Sequence, residues 1–385
     1  MGRRRSKWKD RADESDPGAA LLQCARAGVV ADLEALLARL QLPDAERRDL
    51  LQRAQDHTGA TALHLAAAEG HCEMARRLLA LGAGELHQRK AYARTPLHEA
   101  AMNGHADVCR LLVHDGGLLV DCHTTRGRTP LMYAVKGNHE AAARVLLDEC
   151  GANVNEQNEM GVTPVYLASQ EGLAPLVALL VARGADVNVC NRTRHSPLHE
   201  AVAGGHVAVA ALLLAHGAAA HAVDAMGVTI WHEAAGNGAV ALLELLVDHG
   251  VALPSGQVDK VMARHPFHYA AVEGRAAFVR ALLARRLVDV NLVDADGCSA
   301  VYYAAANGHA DVLRELLARG ADPNVASVRR APLHCATEWR RAECVALLLA
   351  HGARADEVDT SGSTALDIAR AKGFEEIERL LLARP

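Results

Sequence analysis

Thr95-Pro96-Leu97-His98-Glu99-Ala100-Ala101-Met102-Asn103-Gly104-His105 decides the fold, because variants of it return down the chain. Thr129-Pro130-Leu131-Met132-Tyr133-Ala134 stands 34 residues later, and Thr163-Pro164-Val165-Tyr166-Leu167-Ala168 stands a further 34. Ser196-Pro197-Leu198-His199-Glu200-Ala201 follows after 33. A fixed period of roughly 20–50 residues marks a stacked repeat architecture, in which one long array overrides the usual domain count. Working outward from the quoted stretch, ten units open at Thr61, Thr95, Thr129, Thr163, Ser196, Thr229, His265, Ser299, Ala331 and Thr364.

Each unit repeats one physical design. A turn such as Asp294-Ala295-Asp296-Gly297 bends the chain, with glycine free to take positive φ. Thr or Ser caps a helix, and Pro occupies its first turn, where a missing N–H costs nothing. Small residues such as Ala66, Ala100 and Ala134 let helices approach. Gly70, Gly104 and Gly172 end the first helix, and a second helix carries a Leu-Leu pair such as Leu78-Leu79. Gly-Ala pairs such as Gly82-Ala83 lead back out. One unit cannot bury its own apolar face, so burial requires neighbours.

The period near 33 with Thr-Pro-Leu-His-x-Ala is similar to the ankyrin repeat signature. The resemblance covers residues 18–385 and implies an all-α repeat solenoid of stacked helix-turn-helix repeats with projecting β-turn loops. The expected domain order is a disordered basic tail over 1–17, N-terminal capping helices over 18–55, and a ten-unit array over 56–385. A loop insertion is expected near 251–258, and a polar C-terminal cap over 359–385. In the ninth unit Arg340 stands where glycine ends the first helix elsewhere. No C-terminal extension like the cullin-binding box of one large ankyrin group is evident.

Half the residues are hydrophobic but only 3% are aromatic, which suits thin helices packed closely. Net charge is −5, giving no global reason to expect nucleic-acid binding. No apolar run approaches the ~20 residues of a membrane span, and no secretory signal pattern opens the chain. The nine cysteines are odd in number and scattered, so a reduced intracellular chain is expected, cytoplasmic with the nucleus as alternative. Met1-Gly2-Arg3-Arg4-Arg5-Ser6 fits the loose N-myristoylation pattern and looks like the N-terminus of Src-type kinases, making Gly2 a candidate lipidation site. Arg3 departs from that pattern, and a solvated basic tail or import-like run competes with it.

Chemistry-bearing patterns dissolve into the repeat. Of the 21 histidines, His64, His98, His199, His232, His268 and His334 hold the Thr-Pro-Leu-His position, where the family resemblance implies a hydrogen bond to the turn backbone. His-Glu-Ala sequences suggest a zinc-protease helix, but the second ligand position one turn on is Met102, Ala203 or Gly236. No P-loop, dinucleotide fingerprint or nucleophile elbow is present. No enzyme, metal or cofactor is expected. Asn155, Asn188, Asn291 and Asn324 precede turns; the resemblance implies that this position can be hydroxylated, against a plain turn role.

Partner binding is expected at the turn tips and first-helix faces, which the resemblance places on a concave surface. Candidate contacts are Tyr92, Arg94, Met102, Arg126, Arg128, Tyr133, Met160, Arg192, Arg194, His195, Met226, Met262, Arg264 and Trp339. Aromatics, Met and Arg are the types enriched at interfaces. The expected function is a monomeric protein-interaction scaffold or adaptor for acidic or extended partner segments. The alternatives are a substrate adaptor of a ubiquitin ligase and a scaffold anchored at membranes through an acylated N-terminus.

Overall fold

A computed structural model of the chain describes residues 16–83, 92–253, 264–325, 327 and 330–383. The described residues hold 23 α-helices and no strand beyond four isolated antiparallel bridges, such as Val293 with Ser299. Two compact units divide the chain, residues 1–192 and 193–385.

The first unit opens with α1 (Pro17–Ala27), α2 (Val30–Leu40) and α3 (Asp44–Arg53). Asp16 caps α1 by accepting from the Gly18 N–H at 2.8 Å. Four helix pairs follow: α4 (Ala62–Ala68) with α5 (Cys72–Ala80), α6 (Pro96–Met102) with α7 (Ala106–His114), α8 (Pro130–Lys136) with α9 (Glu140–Asp148), and α10 (Pro164–Gln170) with α11 (Ala174–Ala182). The second unit holds six pairs: α12 (Pro197–Ala203) and α13 (Val207–Ala215), α14 (Ile230–Asn237) and α15 (Val240–Asp248), α16 (Pro266–Val272) and α17 (Ala276–Ala284), α18 (Ala300–Asn307) and α19 (Ala310–Ala318), α20 (Pro332–Glu338) and α21 (Ala342–Ala350), α22 (Ala365–Lys372) and α23 (Glu375–Leu382).

Helices of seven to nine residues are too short to persist alone, so stacking must stabilise them. The caps in α6 illustrate how sequence sets each start. Thr95 and His98 form a reciprocal capping pair, and Pro96 stands in the first turn. The His98 ring also joins units. Its Nδ1 accepts from the Thr95 N–H at 3.1 Å, and Nε2 lies 3.0 Å from the Arg128 carbonyl of the next turn. A carbonyl can only accept, so Nε2 carries the proton. His64 reaches the Arg94 carbonyl, and His232 the Arg264 carbonyl, in the same way.

A second histidine set closes the first helices. His105 Nε2 bonds the Ala68 carbonyl and His139 Nε2 the Met102 carbonyl, each at 3.0 Å. The glycine that each ring covers in the preceding repeat is required twice over. Gly70 has φ +76°, and a Cβ there would stand 2.5 Å from the His105 ring.

Ala66, Ala100 and Ala134 are fully buried between first helices, and Leu78, Leu112 and Leu146 between second helices. The larger core side chains of the second unit are Trp231, Phe267 and Phe278. On the outer helices, arginines pair with carboxylates one unit away: Arg76 with Asp115, Arg110 with Glu149 and Arg183 with Asp148.

Arg286 takes the exit position that glycine holds in other units, at φ +55°. A Cβ at the corresponding Gly184, Gly217 and Gly320 meets nothing within 4 Å, so the residue at Arg286 bears a backbone cost and no steric one. Arg286→Gly is expected to raise stability by about 1 kcal/mol in urea unfolding. An unchanged midpoint would show that the left-handed turn carries no strain there.

Candidate functional site

The turn tips of the first unit are tied in sequence by backbone bonds. Thr125 N–H donates to the Tyr92 carbonyl at 3.0 Å, Glu159 N–H to Arg126 at 3.3 Å, and Arg192 N–H to Met160 at 2.9 Å. Tyr92, Arg126 and Met160 therefore hold equivalent positions in one row, with Arg192 bonded beside its end, and all four are exposed. Gly127 makes this approach feasible, since a Cβ there would lie 2.9 Å from the Glu159 nitrogen.

Behind the row, three expected contact residues come together around a buried carboxylate. Arg94 Nε lies 3.2 Å from Glu99 Oε1, and the Glu99 side chain is only 3% exposed. The same guanidinium stands 5.7 Å from the Tyr92 ring centre and donates to Met102 Sδ at 3.4 Å. Arg94 is thus engaged inside the fold, and Met102 is half-buried against it. Tyr133 is half-buried too, edge-on to His98 with centres 5.6 Å apart.

Arg126, Arg128, Lys136 and Arg192 differ. Among the described residues, none of these side chains has a hydrogen bond or a carboxylate within ion-pair distance. The Arg128 Nε is buried and has no hydrogen-bond partner. The contrast with the paired arginines of the outer helices is sharp in physical terms, because those pairs leave little charge to offer a ligand.

In the second unit most face cations are neutralised locally. His195 Nδ1 lies 2.8 Å from Glu200, and its Nε2 lies 3.4 Å from Glu233 on the next first helix. Burial opposes a charge on this ring, but hydrogen bonds to both carboxylates outweigh it and lift His195 to about 9. His199, stacked on it at 4.9 Å, is pushed the other way by burial. Arg264 lies over the Tyr303 ring, 4.5 Å from its centre, and Arg330 pairs with Glu338. Arg194 is exposed in the turn-glycine position at φ +62°. Met226 and Trp339 are 51% and 62% exposed. Met262 and Gly2 lie outside the described residues.

Since its folded value is raised, the stabilisation His195 gives is whole below the ordinary imidazole value of about 6.5 and is lost as pH rises through about 9. Glu233→Gln is expected to lower the His195 midpoint by about 1 pH unit in an NMR titration. A midpoint that stays put would show that Glu200 alone holds the proton.

Sequence reading passed over Glu99, Glu200 and Glu233 as partners. A signal existed for two of them: a cation just before the cap recurs with Glu five residues on, as Arg94 with Glu99 and His195 with Glu200. Asn155 and Asn324 are used by the backbone. Asn155 donates to the Gly184 carbonyl and accepts from Asp186 N–H, while Asn324 donates to Gly352 and accepts from Arg354.

The family description "Ankyrin repeats (3 copies)" matches residues 21–118, 117–191, 165–256, 253–327 and 324–385. The chain belongs to the ankyrin repeat family. The human ASB11 ankyrin repeat domain aligns over 58% of this chain and 98% of its own, at 30% identity and a TM-score of 0.54. Human ankyrin repeat domain-containing protein 37 is 39% identical over 84 residues, 22% of this chain and 53% of that protein. The Caenorhabditis elegans E3 ubiquitin-protein ligase hecd-1 is 37% identical over 89 residues, 23% of this chain and 3% of that protein. The chain thus spans at most about half the length of these two curated relatives. Ankyrin repeats in general mediate protein–protein interaction without catalysis. Among the described residues no helix is long and apolar enough to cross a membrane, and no cluster of three or more His, Cys, Asp or Glu side chains is arranged to hold a metal ion.

Proposed function

We propose that the chain is a protein-interaction scaffold that holds partner proteins on its turn tips and first-helix faces. The observation that carries this reading is the division of cations in the first unit. Outer-helix arginines are consumed in ion pairs, whereas Arg126, Arg128, Lys136 and Arg192 keep their charge unspent on the face that also exposes Tyr92 and Met160. Surface pairs are worth about 0–1 kcal/mol each, so a ligand carboxylate meeting an unpaired arginine displaces nothing but water and counterions. Met226 and Trp339 supply flexible or broad apolar contacts in the second unit, the types that anchor interfaces.

The test is affinity capture from cells with the full chain, beside Arg126→Glu/Arg128→Glu/Arg192→Glu and, separately, Met226→Ala/Trp339→Ala. Partners should be lost from one variant or the other. Capture unchanged in both would remove this face as the binding surface. The ubiquitin-ligase adaptor reading gains only a match to 3% of hecd-1, too little to transfer an activity. The membrane-anchor reading depends on Gly2 and gains no support from the described residues.

A further inference from the structure

We propose that the tip row of the first unit binds an extended acidic segment in a fixed register: two carboxylates six residues apart with an apolar side chain midway. This rests on the scaffold reading and specifies its ligand for one face.

Backbone bonds join Tyr92 to Thr125, Arg126 to Glu159, and Met160 to Arg192. The tips therefore run apolar, cationic, apolar at equivalent positions of three turns, and the next turn offers Arg192 one position ahead of the equivalent residue. Stacked helices sit roughly 8–10 Å apart, so successive tips share that step. An extended chain advances roughly 3.3 Å per residue, so three residues match one step. Two steps separate Arg126 from Arg192, which is about six residues, with Met160 under the third. The core Glu-x-x-Leu-x-x-Glu reads the same in either direction, so the register holds for both orientations of the peptide.

The electrostatics point to an anion. Arg126 and Arg192 are exposed without an ion pair, and Arg128, with its buried unpartnered Nε, and Lys136 add positive charge on the same turn and its helix. Glu159 is the carboxylate within the row. It is exposed, and its side chain makes no hydrogen bond or ion pair among the described residues. It repels an acidic ligand, so it offers a test that stability would not register.

The experiment uses the full chain and fluorescence anisotropy with synthetic ten-residue peptides in a Gly/Ser background. Two glutamates are placed at separations from three to nine, with one leucine between them. A separation of six is expected to bind at least tenfold more tightly than three or nine, about 1.4 kcal/mol. Arg126→Glu or Arg192→Glu should abolish that preference, Arg126→Lys should keep it, and Glu159→Gln should tighten binding about threefold. Urea unfolding checks that each variant is folded. The proposal is overturned if no separation is preferred, if glutamine peptides bind equally, or if a single-stranded oligonucleotide of equal charge binds more tightly than the best peptide. Peptide failure together with cellular capture that still depends on Met226 and Trp339 would sink this register alone; capture independent of every tip would remove the scaffold reading as well.

Discussion

Trp231→Ala is expected to cost about 3–5 kcal/mol, the largest effect of any single change described for this chain. The indole is 1% exposed on α14. Its Nε1–H donates to the Ala252 carbonyl at 3.1 Å, so the ring fills volume and also satisfies a carbonyl at the exit of α15. Truncation removes apolar burial and leaves a cavity in a stack of short helices that cannot collapse freely. Trp231→Phe separates the two contributions. It keeps most of the volume, loses the donor and should cost about 1–2 kcal/mol. Urea unfolding followed by circular dichroism measures both. A loss under about 1 kcal/mol for the alanine variant would mean that the indole is not close-packed.

His98→Ala comes next, at about 3 kcal/mol near neutral pH. The ring is fully buried and bonds Thr95 on one side and Arg128 on the other, so its removal takes the partner from the buried Thr95 amide, leaves the Arg128 carbonyl only its bond from the Thr124 N–H, and opens a void between two repeats. The same burial pushes His98 down to about 4. Between that value and the ordinary one of about 6.5, the unfolded chain takes up a proton that the folded chain refuses. Stability therefore falls as pH drops through this window, by an amount on the order of 3 kcal/mol when complete. His199 and His268, also lowered by burial, act in the same direction, while His195 acts in the opposite direction at higher pH. In His98→Ala the slope of stability against pH between about 4 and 6.5 should shrink by one proton's share. An unchanged slope would show that His98 is accessible to protons in the folded chain.

The fold was legible because its determinants are local and repeated. Thr95, Pro96 and His98 act within four residues of one another, and the glycines before His71, His105 and His309 mark where the chain must turn left-handed. The candidate face was legible only in part. Tyr92, Arg126, Met160, Arg192, Met226 and Trp339 stand exposed as the repeat phase places them. What the sequence did not disclose is which cations are already neutralised. Arg110 meets Glu149 from 39 residues away, and His195 meets Glu233 from 38, pairings that no local pattern records. Whether a surface arginine is available depends on such distant pairings, and composition averages over them.

The bond from His98 to Arg128 has one more consequence. Its acceptor is a main-chain oxygen, which every amino acid supplies, and His64 and His232 use the same kind of acceptor. The joint between successive repeats is therefore indifferent to side-chain identity on its accepting side. A gene that duplicates or deletes one whole repeat presents each ring with an equivalent oxygen at the new junction. Array length and tip chemistry can then drift independently during evolution, and a surface read by one partner can be rewritten without redesigning the joints beneath it.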